Sequence, residues 1–214
     1  MKHLIIIGAR GWGRAVYDLA IAMPDYQSKF DIKGFLDDKS DALDGYGNYP
    51  PIISSVESYE IEPNDVFVCA LGDVHYKKHY AELILNRGGH FINIIHPSAH
   101  LGTNVEVGMG CIIAGNVWLD NDVKLGDFVT IQCGALIGHD CLVGNWSIID
   151  AFCFLGGFVN IEDLVTIHTH SSVIPHRRVC NNATVNIAST VIRDVKSGTT
   201  VMGNPAREMI IPKY

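Results

Sequence analysis

From Leu101 onward the apolar positions repeat every six residues. Stepping by six meets Val107, Ile113, Leu119, Leu125, Ile131, Ile137, Val143, Ile149, Leu155, Ile161, Ile167, Val173, Val179, Val185 and Val191, with no insertion. Two residues before these positions runs a second series rich in small residues, including Ala99, Cys111, Ala135, Cys141, Ser147, Cys153, Ser171, Ala183 and Ser189. Glycine follows the aliphatic residue at 102, 108, 126, 138, 144 and 156. One large and one small inward residue per hexad predict a left-handed parallel β-helix. Each hexad forms one face of a triangular prism, and three hexads complete a coil of 18 residues. Glycine is expected to serve the backbone demanded at the corners. An unbroken register lets no long loop leave the prism, so a site must lie on its faces or between neighbouring prisms.

Residues 1–95 carry a different pattern, and residues 96–214 hold the β-helix with a C-terminal tail. His3 to Gly8 reads as a short apolar strand, Gly13 to Met23 as a helix, Phe30 to Leu36 and Asp65 to Leu71 as strands. His75 to Asn86 reads as a second helix and His90 to Ile95 as a fourth strand. Strands alternating with helices predict a small, Rossmann-like parallel α/β domain. The expected fold class is therefore α/β followed by β.

Composition narrows the function classes. The 214 residues are 48% hydrophobic and 18% charged, with a formal net charge of −7. An acidic chain disfavours electrostatic binding to nucleic acid. The apolar run Leu4 to Ile7 is too short for a signal peptide or a membrane span, so no membrane partner is expected. Six cysteines without a CxxC pair read as reduced, mostly buried small residues, which points to the cytoplasm.

Candidate chemistry gathers at two places. Gly8-Ala9-Arg10-Gly11-Trp12-Gly13-Arg14 follows a strand and opens a helix, where phosphate oxygens can approach main-chain N–H groups. The second strand ends in Asp37-Asp38, acids that suit ribose hydroxyls or base N–H groups, and the third ends in Gly72-Asp73, a third wall for the same crevice. A tight turn without a ligand accounts for each of these strand ends taken singly. In the repeat half, Ile137-Gly138-His139-Asp140-Cys141 puts a histidine outside a corner with a carboxylate beside it, the makings of a general base. A surface histidine with a solvated neighbour is the plainer reading. His168, His170 and His176 do not converge with His139 at coil spacing, so no metal is expected. Steps of 18 also stack Gln132, Asp150, His168 and Asn186 on one corner, either as a structural ladder or with His168 directed at a ligand.

The hexads, Gly-His-Asp-Cys-Leu-Val-Gly at 138–144 and Val-Met-Gly-Asn-Pro-Ala-Arg at 201–207 resemble the hexapeptide-repeat acyltransferases. With the leading glycine loop and Phe-Leu-Asp-Asp, the chain is similar to the sialic-acid O-acetyltransferase and nucleotide-sugar N-acetyltransferase group, with its bacillosamine- and perosamine-type members. The resemblance implies a homotrimer that acetylates the amine of a nucleotide-linked amino sugar for surface polysaccharide, using acetyl-CoA bound between prisms and no metal. It implies His139 as base and Asp140 as its support, and a nucleotide-sugar site at Arg10, Gly11, Trp12, Asp37, Asp38 and Gly72. It also implies acetyl-CoA contacts at Gly157, Thr169, Ile187 and Ala188, to which the corner ladder adds His168. Many relatives carry a second histidine nine residues after the base, where this chain has Ile148. Acetylation of a sugar hydroxyl, as on sialic acid, and a non-catalytic trimer that binds a nucleotide sugar stay open as alternatives.

Overall fold

Apolar strands in the first hundred residues form a parallel sheet buried on both faces, which is why they read as runs rather than alternations. The computed structural model describes residues 1–209. They divide into two units, one of residues 1–97 with 109–112 and one of residues 98–108 with the chain from 113 onward.

In the first unit, β1 (Lys2–Ile7), β2 (Phe30–Leu36), β3 (Ile52–Ser54), β4 (Asp65–Cys69) and β5 (His90–Phe91) pair in the order β3-β2-β1-β4-β5. Leu4, Ile5 and Ile6 of the central strand are fully buried. Helix α1 (Gly11–Ile21) buries Gly13, Val16 and Ala20. Gly13 is obligatory for close approach, since a Cβ there would lie 1.8 Å from the Gly8 carbonyl oxygen. Helix α2 (Val74–Asn86) is capped by Asp73, whose carboxylate accepts from the N–H groups of His75 and Tyr76, each at 2.9 Å.

Two expectations change here. The strand expected over His90 to Ile95 is two: β5 stays in the sheet, and β6 (Ile94–Ile95) leaves it, with Ile94 N–H donating to Cys111 O at 2.9 Å. The three-residue β3 is unforeseen, because a short half-buried edge strand leaves little apolar signal.

The second unit is the left-handed β-helix. Its first face stacks six strands, from His100–Leu101 and Trp118–Leu119 through Leu136–Ile137 and Phe154–Leu155 to Ser172–Val173 and Thr190–Val191. The second face runs from Glu106–Val107 through Leu142–Val143 to Arg178–Val179. The third runs from Ile112–Ile113 through Ile148–Ile149 to Thr200–Met202, which Arg207–Glu208 joins antiparallel. The coils are held in a register of 18, as in Leu136↔Phe154 and Ile137↔Leu155, until the last, where Thr184 pairs with Thr200. The inward residues Leu119, Ile137, Leu155 and Val173 are fully buried. The small inward series carries its own hydrogen bonds. Ser147 Oγ donates to Glu162 O at 2.8 Å and accepts from Val165 N–H at 3.0 Å.

The corner glycines do a different job from the one expected. Fifteen successive hexads, from Asn104 to Ala188, place a left-handed residue (φ 54° to 70°) three positions after the inward aliphatic. Glycine fills that place only at 110 and 134, while Asp140, Phe158 and His176 adopt it too. The glycines directly after the aliphatic instead give room to the next coil: a Cβ on Gly108 would stand 2.4 Å from Gly126 O. Four cysteines are buried as expected, but Cys180 is half-buried and Cys133 exposed.

Candidate active site

His139 follows the inward Ile137 by two positions, at the corner between the first and second faces, and its side chain is 52% exposed. The left-handed backbone of Asp140 (φ 58°) turns its carboxylate back onto the ring, with Oδ2 2.8 Å from His139 Nδ1. An ionised carboxylate only accepts, so in the neutral imidazole the proton sits on Nδ1 and Nε2 keeps its lone pair. The ring of Phe158 meets the imidazole edge-on at 5.1 Å and 89°, and it stacks in turn on His176 at 4.9 Å and 7°. Gly157 stands one coil above His139. A Cβ on it would lie 2.6 Å from Nε2 and 2.7 Å from Cε1, so the ring occupies the space that the glycine leaves empty.

The main chain at this corner is equally specific. At the corner between the second and third faces, three successive N–H groups two positions after the aliphatic bond to a side-chain oxygen of the coil above. Asp127 N–H reaches Asn145 Oδ1, Asn145 N–H reaches Asp163 Oδ1, and Asp163 N–H reaches Asn181 Oδ1, at 2.7 to 3.0 Å. At the His139 corner the coils above offer Gly157 and then Pro175, which have no such oxygen. The N–H groups of His139 and Gly157 therefore have no acceptor among the described residues. Cys141, next in sequence, is no rival nucleophile. It is buried, its Sγ donates to Gly156 O at 3.1 Å, and burial pushes its thiol up to about 11.

The other expected donor-site residues lie one prism edge away, at the corner between the third and first faces. Thr169 donates its hydroxyl to Ala151 O at 2.7 Å. The N–H groups of Ile187 and Ala188 are taken by Asn186 Oδ1 and Thr169 O. The polar stack exists: Gln132 Nε2 donates to Asp150 Oδ1 at 2.7 Å, and Asp150 Oδ2 holds His168 Nδ1 at 2.9 Å. His168 thus belongs to a different corner from His139. Ile148 is buried at 2% exposure.

In the first unit, Arg10, Trp12, Asp37, Asp38 and Gly72 line a cavity of about 470 Å³ at the carboxyl ends of the strands. Gly11 is outside the lining, at the first turn of α1. The side chain of the N-cap residue Arg10 does not cap that helix. Asp37 accepts from Ala9 N–H and Lys39 N–H, both at 2.9 Å, and so braces the loop. Asp38 accepts a hydrogen bond from Tyr80 OH, which holds that phenol above its ordinary pKa and protonated. Sequence reasoning missed Tyr76 and Tyr80 on the cavity wall. Their i,i+4 spacing at the start of α2 was the available signal. Among the described residues, no group of three or more His, Cys, Asp and Glu side chains is placed to hold a metal.

Comparison with known proteins agrees with this two-part plan. Residues 3–84 match the PglD N-terminal domain, and residues 91–189 match the GMPPB C-terminal domain. A GDP-perosamine N-acetyltransferase of Escherichia coli O157:H7 is 28% identical over 148 residues, 67% of each chain. The acetyltransferase domain of PglB from Neisseria gonorrhoeae FA1090 superposes with a TM-score of 0.89 at 26% identity, covering 98% of this chain and 100% of that one. That domain is also known in complex with acetyl coenzyme A, at 25% identity, a TM-score of 0.87 and coverage of 97% and 99%. PerB from Caulobacter crescentus, in complex with CoA and GDP-perosamine, shares the fold at 22% identity with a TM-score of 0.87 and 98% coverage of both chains. A PglD-type first unit, an unbroken left-handed hexad prism and solved structures matched along nearly the whole length make this chain similar to the bacillosamine- and perosamine-type acetyltransferases.

Proposed function

We propose that the chain transfers an acetyl group from acetyl-CoA to the amino group of a nucleotide-linked amino sugar. One observation carries this reading: His139 Nε2 faces Gly157, whose main-chain N–H has no acceptor among the described residues. A sugar amine is mostly protonated near neutral pH and must lose a proton before it attacks a thioester. His139 Nε2 takes that proton, and Asp140 supports the imidazolium. The new C–N bond forms, and the carbonyl oxygen carries the negative charge. The Gly157 N–H supplies the donor for that oxyanion. The C–S bond then breaks, the nitrogen gives up its surplus proton to solvent, and the leaving coenzyme A thiolate takes the proton held on His139.

The nucleotide lies in the cavity of the first unit, with its phosphates at the N-terminus of α1 beside Arg10 and its base or ribose toward Asp38. Gly72 forms the opposite wall. The working form is a homotrimer. Support comes from the first face of the prism, where Trp118, Leu136 and Phe154 stack in register at 40% to 47% exposure. This apolar column separates the His139 corner from the corner of His168, Thr169, Ile187 and Ala188. Neighbouring prisms packed along that face bring the two corners of different chains onto one acetyl-CoA. The six free cysteines suit a reducing cytoplasm, and the product serves surface polysaccharide synthesis.

The test is release of free thiol from acetyl-CoA with a panel of uridine, guanosine and thymidine diphosphate amino sugars. Amine-dependent release is expected with at least one member. Release only with hydroxyl acceptors points to O-acetylation, and none with any acceptor leaves a binding protein.

A further inference from the structure

The cavity of the first unit lies where its sheet changes direction. Strand β1 has β2 on one side and β4 on the other, and a crevice opens beyond the carboxyl ends of the three. The lining carries three carboxylates, Asp37, Asp38 and Asp73, against a single arginine, Arg10, over a floor that includes Leu36 and Val56. Two of the acids are occupied by the fold. Asp37 accepts Ala9 N–H on one oxygen and Lys39 N–H on the other. Asp73 Oδ1 accepts from both His75 and Tyr76 N–H at the start of α2.

Asp38 differs from both. Among the described residues no main-chain N–H donates to it, and its Oδ2 accepts from Tyr80 OH instead. That bond spans the crevice, because Asp38 follows β2 whereas Tyr80 belongs to α2, which follows β4. Asp38 is exposed and Tyr80 half-buried, so a seated phenol orients a carboxylate that a ligand can reach. Oδ1 and the second lone pair of Oδ2 remain for that ligand. A carboxylate only accepts, so the group that docks there must bring two neighbouring donors. The apolar floor asks that the group be flat and largely apolar on its face.

Among the common bases, guanine has that edge. Its ring N1–H and its 2-amino group lie side by side and meet a carboxylate as a fork. Uracil and thymine offer one N–H between two carbonyl oxygens, which a carboxylate repels. Adenine and cytosine set an amino group beside a ring nitrogen that only accepts. We propose that Asp38, held by Tyr80, reads the N1–H and 2-amino edge of guanine, so that the acceptor is an amino sugar linked to guanosine diphosphate. The assignment rests on the nucleotide-sugar reading above and names the base which that reading leaves open.

Calorimetry of the full chain measures Kd for GDP, inosine diphosphate, 2′-deoxy-GDP, UDP, dTDP and ADP. Inosine diphosphate lacks only the 2-amino group, and losing one charge-assisted hydrogen bond should weaken it about tenfold against GDP. UDP, dTDP and ADP should bind about 30- to 100-fold more weakly than GDP. A ribose diol also offers two donors, so 2′-deoxy-GDP is the control, and it should bind like GDP. In Asp38→Asn, GDP should weaken about tenfold or more. The ratio between inosine diphosphate and GDP should then fall toward one, with UDP little changed. Tyr80→Phe should lower the same ratio by less. Damage to the fold weakens every nucleotide alike, and that pattern in Asp38→Asn overturns the assignment. Equal Kd for GDP and inosine diphosphate in the parent, or UDP, dTDP or ADP bound as tightly as GDP, overturns it too and leaves a nucleotide-linked substrate standing. Weakening by 2′-deoxy-GDP but not by inosine diphosphate moves Asp38 to the ribose and overturns the guanine reading. A parent that binds none of these diphosphates sinks the nucleotide-sugar reading with it.

Discussion

Replacing Gly157 by alanine probes the reaction geometry most directly. The added methyl lies 2.6 Å from His139 Nε2, 2.7 Å from Cε1 and 3.1 Å from Cδ2. Ordinary contact needs about 3.5 Å, so the ring must retreat by about 0.9 Å. It cannot slide along the corner, because Asp140 fixes Nδ1 at 2.8 Å and Phe158 stands against the ring. It swings outward instead, which its 52% exposure permits. The fold loses little, since Gly157 is outside the left-handed region and its N–H remains in place. A displacement of this size at a reacting atom costs about 100-fold. The expected result is a fall in kcat of about 10- to 100-fold in the thiol-release assay, with Tm within a few degrees of the parent. If Gly157→Ala keeps the parent's kcat, His139 Nε2 is not the atom that takes the proton.

Removing the base itself, His139→Ala, should lower kcat by at least about 100-fold with the assembly intact, and Asp140→Asn should cost less; parent-like turnover by thiol release refutes the assignment. Light scattering at micromolar concentration should give three times 23.5 kDa, and Leu136→Arg with Phe154→Arg should return the single-chain mass; a parent already at that mass refutes the trimer. Asp65 is buried beside Lys33 Nζ at 3.0 Å and Tyr59 OH at 2.7 Å. Burial pushes its carboxyl up, but the bonds from Tyr59, Glu62 N–H and Lys33 outweigh it and hold the pKa low. That stability is therefore present above the unfolded carboxylate value of about 3.9 and is lost as pH falls through the lower folded one. Asp65→Asn should cost about 3 kcal/mol near neutral pH, and urea titrations should show the gap to the parent closing in acid; a gap independent of pH refutes the pairing.

What the sequence alone determined was the β-helix, because a prism built of identical hexads needs the same residue type at the same place in every coil. Leu, Ile or Val at each sixth position therefore states the fold, the register and the outward aspect of His139. The alternation before residue 96 stated a parallel sheet for the same reason of burial on both faces, though it merged β5 with β6 and missed β3. Single residues whose role depends on a neighbour far along the chain were not legible in this way. Lys77, on a helix where a lysine belongs in water, is 1% exposed, and burial pushes its amine down to about 8. Asp37 and Asp38 look alike in sequence, yet one braces the glycine loop and the other is held by Tyr80, 42 residues away. The corner glycines looked like conformational necessities and are spacers against the next coil. Only the stacked coils decided which main-chain N–H groups stay unpaired, because whether the N–H of Gly157 has a partner depends on the residue 18 positions on. That residue is Pro175, which has no oxygen in its side chain to offer.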